Sequence, residues 1–326
     1  MIFLKTLEQS SILLIFIFTG YFLRKKEIIN ESGKKVLAGI LVNLFTPCYA
    51  IASLSTQLSV DKIADYLIYF LVGTALAVAI IFVALPFAKA LGKNKLEKNI
   101  LKYALAFANI GYFGYPVVGA VFGEGVKALM ILFCIPQTIA INTYGYQVLT
   151  AKVDENANDL LTGIQATDRK WTDCLRFLKS VPFIGTLLGV VIGLLPISVP
   201  VFVQNLLTTA GDCQSATAML LTGSVLAGVS FKKLFASVKS YLVGIIRLLV
   251  IPCILGGAMY LCGLRGDLFI IATACVSLPV GMNVVVYPES AGLDSTEGAK
   301  MCFISYILAL ATLPIVFEII KSIAWN

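Results

Sequence analysis

Apolar residues run through this chain in long stretches separated by short charged clusters, near 4–23, 36–57, 66–90, 99–122, 127–150, 180–197, 203–229, 238–262, 267–288 and 298–322. A helix needs roughly 20 such residues to cross a bilayer, so the pattern predicts an all-α polytopic membrane protein of about ten transmembrane helices. Two stretches are interrupted in mid-course, each by a proline with an asparagine nearby: Asn109-Ile-Gly-Tyr-Phe-Gly-Tyr-Pro116 and Leu278-Pro279-Val-Gly-Met-Asn283. Proline removes an N–H and expels a carbonyl from the helical ladder, freeing backbone groups where no water can satisfy them. Paired interruptions in the two halves of a chain point to the binding site of a secondary transporter.

Composition agrees. Hydrophobic residues make up 59% and charged residues 13% of the 326 positions, where a soluble domain carries about a quarter charged residues. The first stretch is followed by Tyr21-Phe22-Leu23-Arg24-Lys25-Lys26 and no small-residue cleavage site, so it reads as a retained helix. Eight cysteines are scattered without a CxxC pair, and histidine is absent. They are expected to be free thiols, with no metal and no cofactor. No P-loop, GxSxG or HExxH motif is present, which argues against an enzyme, and nothing points to nucleic acid.

Charge sets the expected orientation. Basic clusters follow alternate stretches, at Arg24–Lys26, Lys34 and Lys35, at Lys89–Lys102, at Lys152–Lys179, at Lys232–Lys239 and at Lys300. The other side holds only Lys5, Lys62, Lys127, Arg265 and Lys321. Basic loops stay in the cytoplasm, so both termini are expected outside a multi-pass cell membrane protein. The chain divides into a first five-helix repeat (1–150), a cytoplasmic linker (151–179) and a second five-helix repeat (180–326). An odd number per half makes the second repeat inverted. In the linker, Trp171, Leu175 and Leu178 share a helical face flanked by Arg169, Lys170, Arg176 and Lys179, the pattern of an interfacial helix.

If Pro116 begins a new half-helix, the amides of Val117, Val118 and Gly119 face the break, and Val280, Gly281 and Met282 do so after Pro279. Each half-helix start carries about +0.5 charge, so two of them can hold an anion without a buried cation. Asn109 and Asn283 add amide donors and acceptors, although kinks and asparagines also serve packing in membrane bundles. Further polar groups come from Asn43-Leu-Phe-Thr-Pro47 and from Gly211-Asp212-Cys-Gln214. Asp212 is a coupling candidate if it lies at membrane depth; a position in the outer loop is equally open. Arg247 is the one basic residue in the apolar interior of its stretch, expected to snorkel to the cytoplasmic surface, with a gate or second anion contact as the alternative. Asp294-Ser-Thr-Glu297 resembles a helix cap.

The chain resembles the auxin efflux carrier family, which includes bacterial malate and malonate permeases and plant auxin exporters. The resemblance rests on Gly20-Tyr-Phe-Leu-Arg-Lys-Lys, Asn43 to Pro47, Phe107-Ala-Asn-Ile-Gly-Tyr-Phe-Gly-Tyr-Pro116 with Phe122-Gly-Glu, and Ala274-Cys-Val-Ser-Leu-Pro-Val-Gly-Met-Asn283. It implies ten helices in two inverted repeats, with the fourth and ninth crossing at their prolines and substrate beside the crossing. It implicates Asn109, Pro116, Pro279 and Asn283, with Asn43 and Pro47 from a scaffold helix. The chain departs from the family pattern in Asp212-Cys-Gln-Ser-Ala-Thr, where many relatives have proline. The function expected is alternating-access transport of a small organic anion, with H+ or Na+ as candidate coupling ions and a homodimer as one assembly open to it. A bile-acid/sodium symporter-like carrier, a channel and a membrane sensor are the alternatives.

Overall fold

The computed structural model describes residues 2–58, 60–150, 181–195, 197–228, 230–290 and 295–324. The linker and its expected interfacial helix lie outside the described residues, as does Asp294. Everything described is helix, turn or short connection apart from one isolated β-bridge, Ala108 with Val280. Five helices are long and apolar enough to cross a membrane singly: Ile2–Lys25, Glu31–Thr56, Ile63–Leu91, Val238–Leu261 and Thr296–Ala324. Other apolar runs are divided into shorter helices such as Ile110–Phe122, Phe183–Leu194 and Gly266–Ser277.

In chain order the elements are α1 (Ile2–Lys25), α2 (Glu31–Ile40), α3 (Thr46–Gln57), α4 (Ile63–Leu91), α5 (Lys95–Ala106), α6 (Tyr115–Phe122), α7 (Glu124–Phe133), α8 (Ile135–Ala140) and α9 (Tyr146–Thr150). After the linker come α10 (Val181–Leu194), α11 (Val201–Leu226), α12 (Phe231–Phe235), α13 (Val238–Ile245), α14 (Ile251–Leu261), α15 (Gly266–Ser277), α16 (Asn283–Ser290) and α17 (Thr296–Ala324). Local capping fixes several starts. Asn30, Asn94 and Ser237 each accept from a backbone N–H three residues on, which satisfies donors that the helix itself leaves unpaired.

Prolines inside these helices are absorbed more often than they break the chain. Five-residue π turns at Leu41–Phe45, Ile110–Gly114 and Ile246–Val250 stand just ahead of Pro47, Pro116 and Pro252. In each, the residue before the proline donates its N–H five residues back, Thr46 to Leu41, Tyr115 to Ile110 and Ile251 to Ile246. The proline ring would collide with the carbonyl four residues earlier in a regular helix. Widening the turn to an i to i−5 bond makes room and keeps the helix going.

Two packing regimes result. Helices α1, α3, α10 and α11 lie against one another by close backbone approach. A side-chain carbon at Gly20 would coincide with the Leu220 carbonyl, and one at Gly223 with that of Ile17. On α10, Gly185, Gly189 and Gly193 form a ridge of small residues against Pro47, Ala50 and Leu54 of α3, the usual means of bringing membrane helices together. The other body is the core proper, where Tyr103, Phe107, Phe113, Val117, Val280, Tyr306 and Phe317 have at most 2% of their surface exposed. Leu67, Leu71 and Phe82 on α4 face outward, as lipid-facing positions should.

Candidate functional site: a crossing of two interrupted helices

The first interruption lies between α5, which ends at Ala106, and the π turn that starts at Ile110. The second lies between Ser277 and Asn283. The two extended segments cross antiparallel, with Asn109 N–H donating to the Pro279 carbonyl and Gly281 N–H to the Phe107 carbonyl, both at 2.9 Å. Backbone groups that the broken helices cannot satisfy therefore satisfy one another, as burial demands. Ser305 of α17 completes the set by accepting from Val280 N–H at 3.1 Å.

Asn109 is 3% exposed and committed at both ends of its amide. Its Oδ1 accepts from Tyr112 N–H at 3.3 Å, capping the restarted helix, while its Nδ2 donates to the Tyr306 hydroxyl at 2.6 Å. Phe113 stacks on the Tyr306 ring with centroids 5.5 Å apart, fixing that acceptor. Asn283 is half-buried, begins α16 and donates to the Tyr287 hydroxyl at 3.1 Å.

A cavity of about 290 Å³ opens on this crossing, close to the lower bound of roughly 300 Å³ for small-molecule sites. Both helix restarts reach it, through Ile110, Gly111 and Tyr112 on one side and Met282 and Asn283 on the other. Tyr49, Tyr103, Tyr115 and Tyr287 add aromatic wall, and Thr46, Thr138, Thr186 and Gln214 add polar groups. Among the described lining residues none is charged. Gln214 Nε2 donates to the Gly111 carbonyl at 3.1 Å, while its Oε1 and the buried Tyr49 hydroxyl have no partner among the described residues. At the rim, the Lys127 ammonium pairs with Glu124 and lies 4.9 Å from the centre of the Tyr49 ring, a cation–π contact between α7 and α3.

Of the sequence candidates, Asn109, Asn283 and Gln214 meet at this cavity, with Gly281 and Met282 beside them; Asn43, Pro116, Val117, Pro279, Val280, Asp212 and Arg247 are not among its described lining residues. Pro116 begins no half-helix at the break, because the helix restarts at Ile110 and the proline sits in the first turn of α6, directly after the π turn. Val117 is wholly buried behind the cavity. Pro279 and Val280 sit in the extended crossing strand itself. The amides of Val280 and Gly281, expected to face a ligand, are taken by Ser305 and Phe107. Asn43 is exposed and bonds back to the Gly39 carbonyl at 2.9 Å within its own helix. Asp212 lies within helix α11, not in a loop, and its side chain is exposed.

Arg247 departs furthest from expectation. Its side chain does not snorkel to the surface; it is 0% exposed and the largest fully buried side chain described. Nη1 donates to the Leu105 carbonyl at 3.3 Å and Nη2 to the Cys275 carbonyl at 3.4 Å, while Nε has no partner among the described residues. Leu105 and Cys275 belong to the last turns of α5 and α15, the two half-helices that run into the crossing. Sequence reasoning also missed Tyr306 and Ser305, which sit on one uninterrupted apolar helix, α17. Their only signal is a pair of polar groups, Ser305-Tyr306, in a stretch otherwise without them between Phe303 and Ala311.

The family described as "Membrane transport protein" matches residues 6–317. An "uncharacterized transporter" of Methanothermobacter thermautotrophicus is 24% identical over 320 residues, covering 97% of this chain and 98% of that protein.

Proposed function

We propose that this chain, which belongs to the membrane transport protein family, is a secondary carrier for a small organic anion, with a carboxylate such as malate, malonate or an auxin-like acid as the substrate class. The observation that carries the reading is the cavity's position against both helix restarts, Ile110 and Asn283, without a charged lining residue. Two half-helix starts contribute about +0.5 charge each, so an anion binds without a counter-charge that would hold it too tightly to leave. In this reading the chain forms ten spans as two inverted repeats, and the crossing body moves against the glycine-packed helices to expose the cavity alternately to each side. Moving one charge through 100 mV is worth about 2.3 kcal/mol, enough to drive export of a monoanion roughly fifty-fold from an inside-negative cell. Export then needs no co-ion, whereas concentrative uptake needs H+ or Na+, and Asp212 is the candidate for a proton.

Thermal stabilisation of the purified protein by malate, malonate, indole-3-acetate and a bile acid, with and without sodium, tests the reading. One acid should raise the melting temperature, and Asn283→Ala and Gln214→Leu should abolish the shift while leaving the unliganded protein folded. A protein that responds only to neutral or cationic solutes sinks the anion assignment. If uptake into vesicles is proton-coupled and Asp212→Asn leaves that coupling intact, the role given to Asp212 is wrong.

A further inference from the structure

We infer that Arg247 sets the charge of the binding site from behind, by pinning and neutralising the carbonyl ends of the two half-helices that run into the crossing, without touching the substrate. The inference rests on the anion reading above for its electrostatic half and on geometry for its mechanical half. Each half-helix that ends at the crossing leaves its last carbonyls unpaired and carries about −0.5 charge there. Those ends would cancel the positive restarts that face the cavity, and an anion would meet a neutral site. Arg247 supplies one positive charge to two ends of about −0.5 each, through Nη1 to Leu105 and Nη2 to Cys275. No carboxylate pairs with it among the described residues, so its charge is left to act on these carbonyls. It does not line the cavity, which removes direct substrate contact as its role.

The fork of the guanidinium matters as much as the charge. One planar group spans carbonyls of α5 and α15, helices drawn from opposite halves of the chain, and lysine has no such fork. Arg247 is thus a positioning residue held by the π turn Ile246–Val250, and the widened turn is the local distortion that aims it inward.

The test compares wild type, Arg247→Lys and Arg247→Gln as full-length purified proteins, using acid and amide pairs as probes: malonate with malonamide, and indole-3-acetate with indole-3-acetamide. Arg247→Gln should weaken binding of the acid that wild type recognises by about tenfold or more, and binding of its amide far less. Arg247→Lys should recover acid binding in part, because it keeps the charge. Equal losses for acid and amide, or no loss for either, overturn the electrostatic role. Alkylation of Cys275 by N-ethylmaleimide, read by peptide mapping, is independent of any solute: Cys275 is fully buried, and its labelling should accelerate in Arg247→Gln and less in Arg247→Lys. Unchanged labelling overturns the pinning role. If wild type binds none of the acids, the anion reading and the electrostatic half fall together, and the labelling alone decides the mechanical half.

Discussion

The two bodies of this molecule solve the same problem, holding helices together where water cannot help, by opposite means. Between α1, α3, α10 and α11 the solution is chiefly shape: glycines let backbone lie on backbone at Gly20 and Gly223, and Gln204 of α11 adds one bond to the Ala52 carbonyl of α3. Around the crossing it is polarity: the buried Asn109, Ser305, Tyr306 and Arg247 satisfy backbone and one another. Close backbone contacts of this kind depend on the absence of a side chain at the glycine. Polar contacts are directional, so they fix the geometry of the groups they join. The contrast separates two ways of packing that meet at the cavity, which residues of both groups line.

The sharpest way to break that contrast is a single glycine on each side. Gly223→Val forces a side chain into the Ile17 backbone, and backbone cannot retreat, so a loss of about 3 kcal/mol or more is expected, seen as lost folded yield. Gly111→Ala meets nothing within 4 Å, so stability should stay within about 1 kcal/mol of wild type; comparable damage from both would erase the distinction. Next in size, Tyr306→Phe removes the acceptor of a buried amide, which costs about 1–3 kcal/mol and should reduce transport more than Asn109-independent variants of equal stability. A smaller effect comes from Glu97 at the lysine-rich end of α5, whose carboxyl is held below its ordinary range chiefly by the hydrogen bond from Lys239, at 2.7 Å. A depressed folded value means that its contribution is complete above the unfolded carboxylate range and is lost as pH falls through the folded one. The melting temperature should therefore drop more steeply below about pH 4.5 in wild type than in Lys239→Met. Least of all, Asn43→Ala should change stability by no more than about 0.5 kcal/mol, because its side chain is exposed and bonds, among the described residues, to its own helix.

Much of this is legible from residue order, for identifiable reasons. Apolar runs and their interruptions depend on local composition, so the helices and the neighbourhood of both breaks can be read, and so can three of the residues that meet at the cavity, Asn109, Asn283 and Gln214. The exact place of the first break cannot. A proline rule predicts failure at Pro116, whereas the chain fails at Phe107–Asn109 and carries the proline in the first turn of α6, after a π turn. That choice is made by pairing with Pro279 and Gly281, partners more than 160 residues away in sequence. Arg247 misleads for the same reason: a lone cation in an apolar run looks like a snorkelling side chain until the carbonyls of two other helices are brought to it. The tyrosine wall is invisible beforehand because each ring sits on a different helix.

The π turns carry a consequence for reading faces along the helices. Each accommodates one residue more than a regular turn, and a residue advances an α-helix by about 100°. Every stripe traced across Phe45, Gly114 or Val250 therefore changes phase at that point, so that the register before the turn does not predict which side chains look inward after it. A one-residue deletion inside such a turn, combined with replacement of Pro47, Pro116 or Pro252, should leave the downstream faces where they are. The same deletion anywhere else in these helices would rotate every following side chain away from its neighbour.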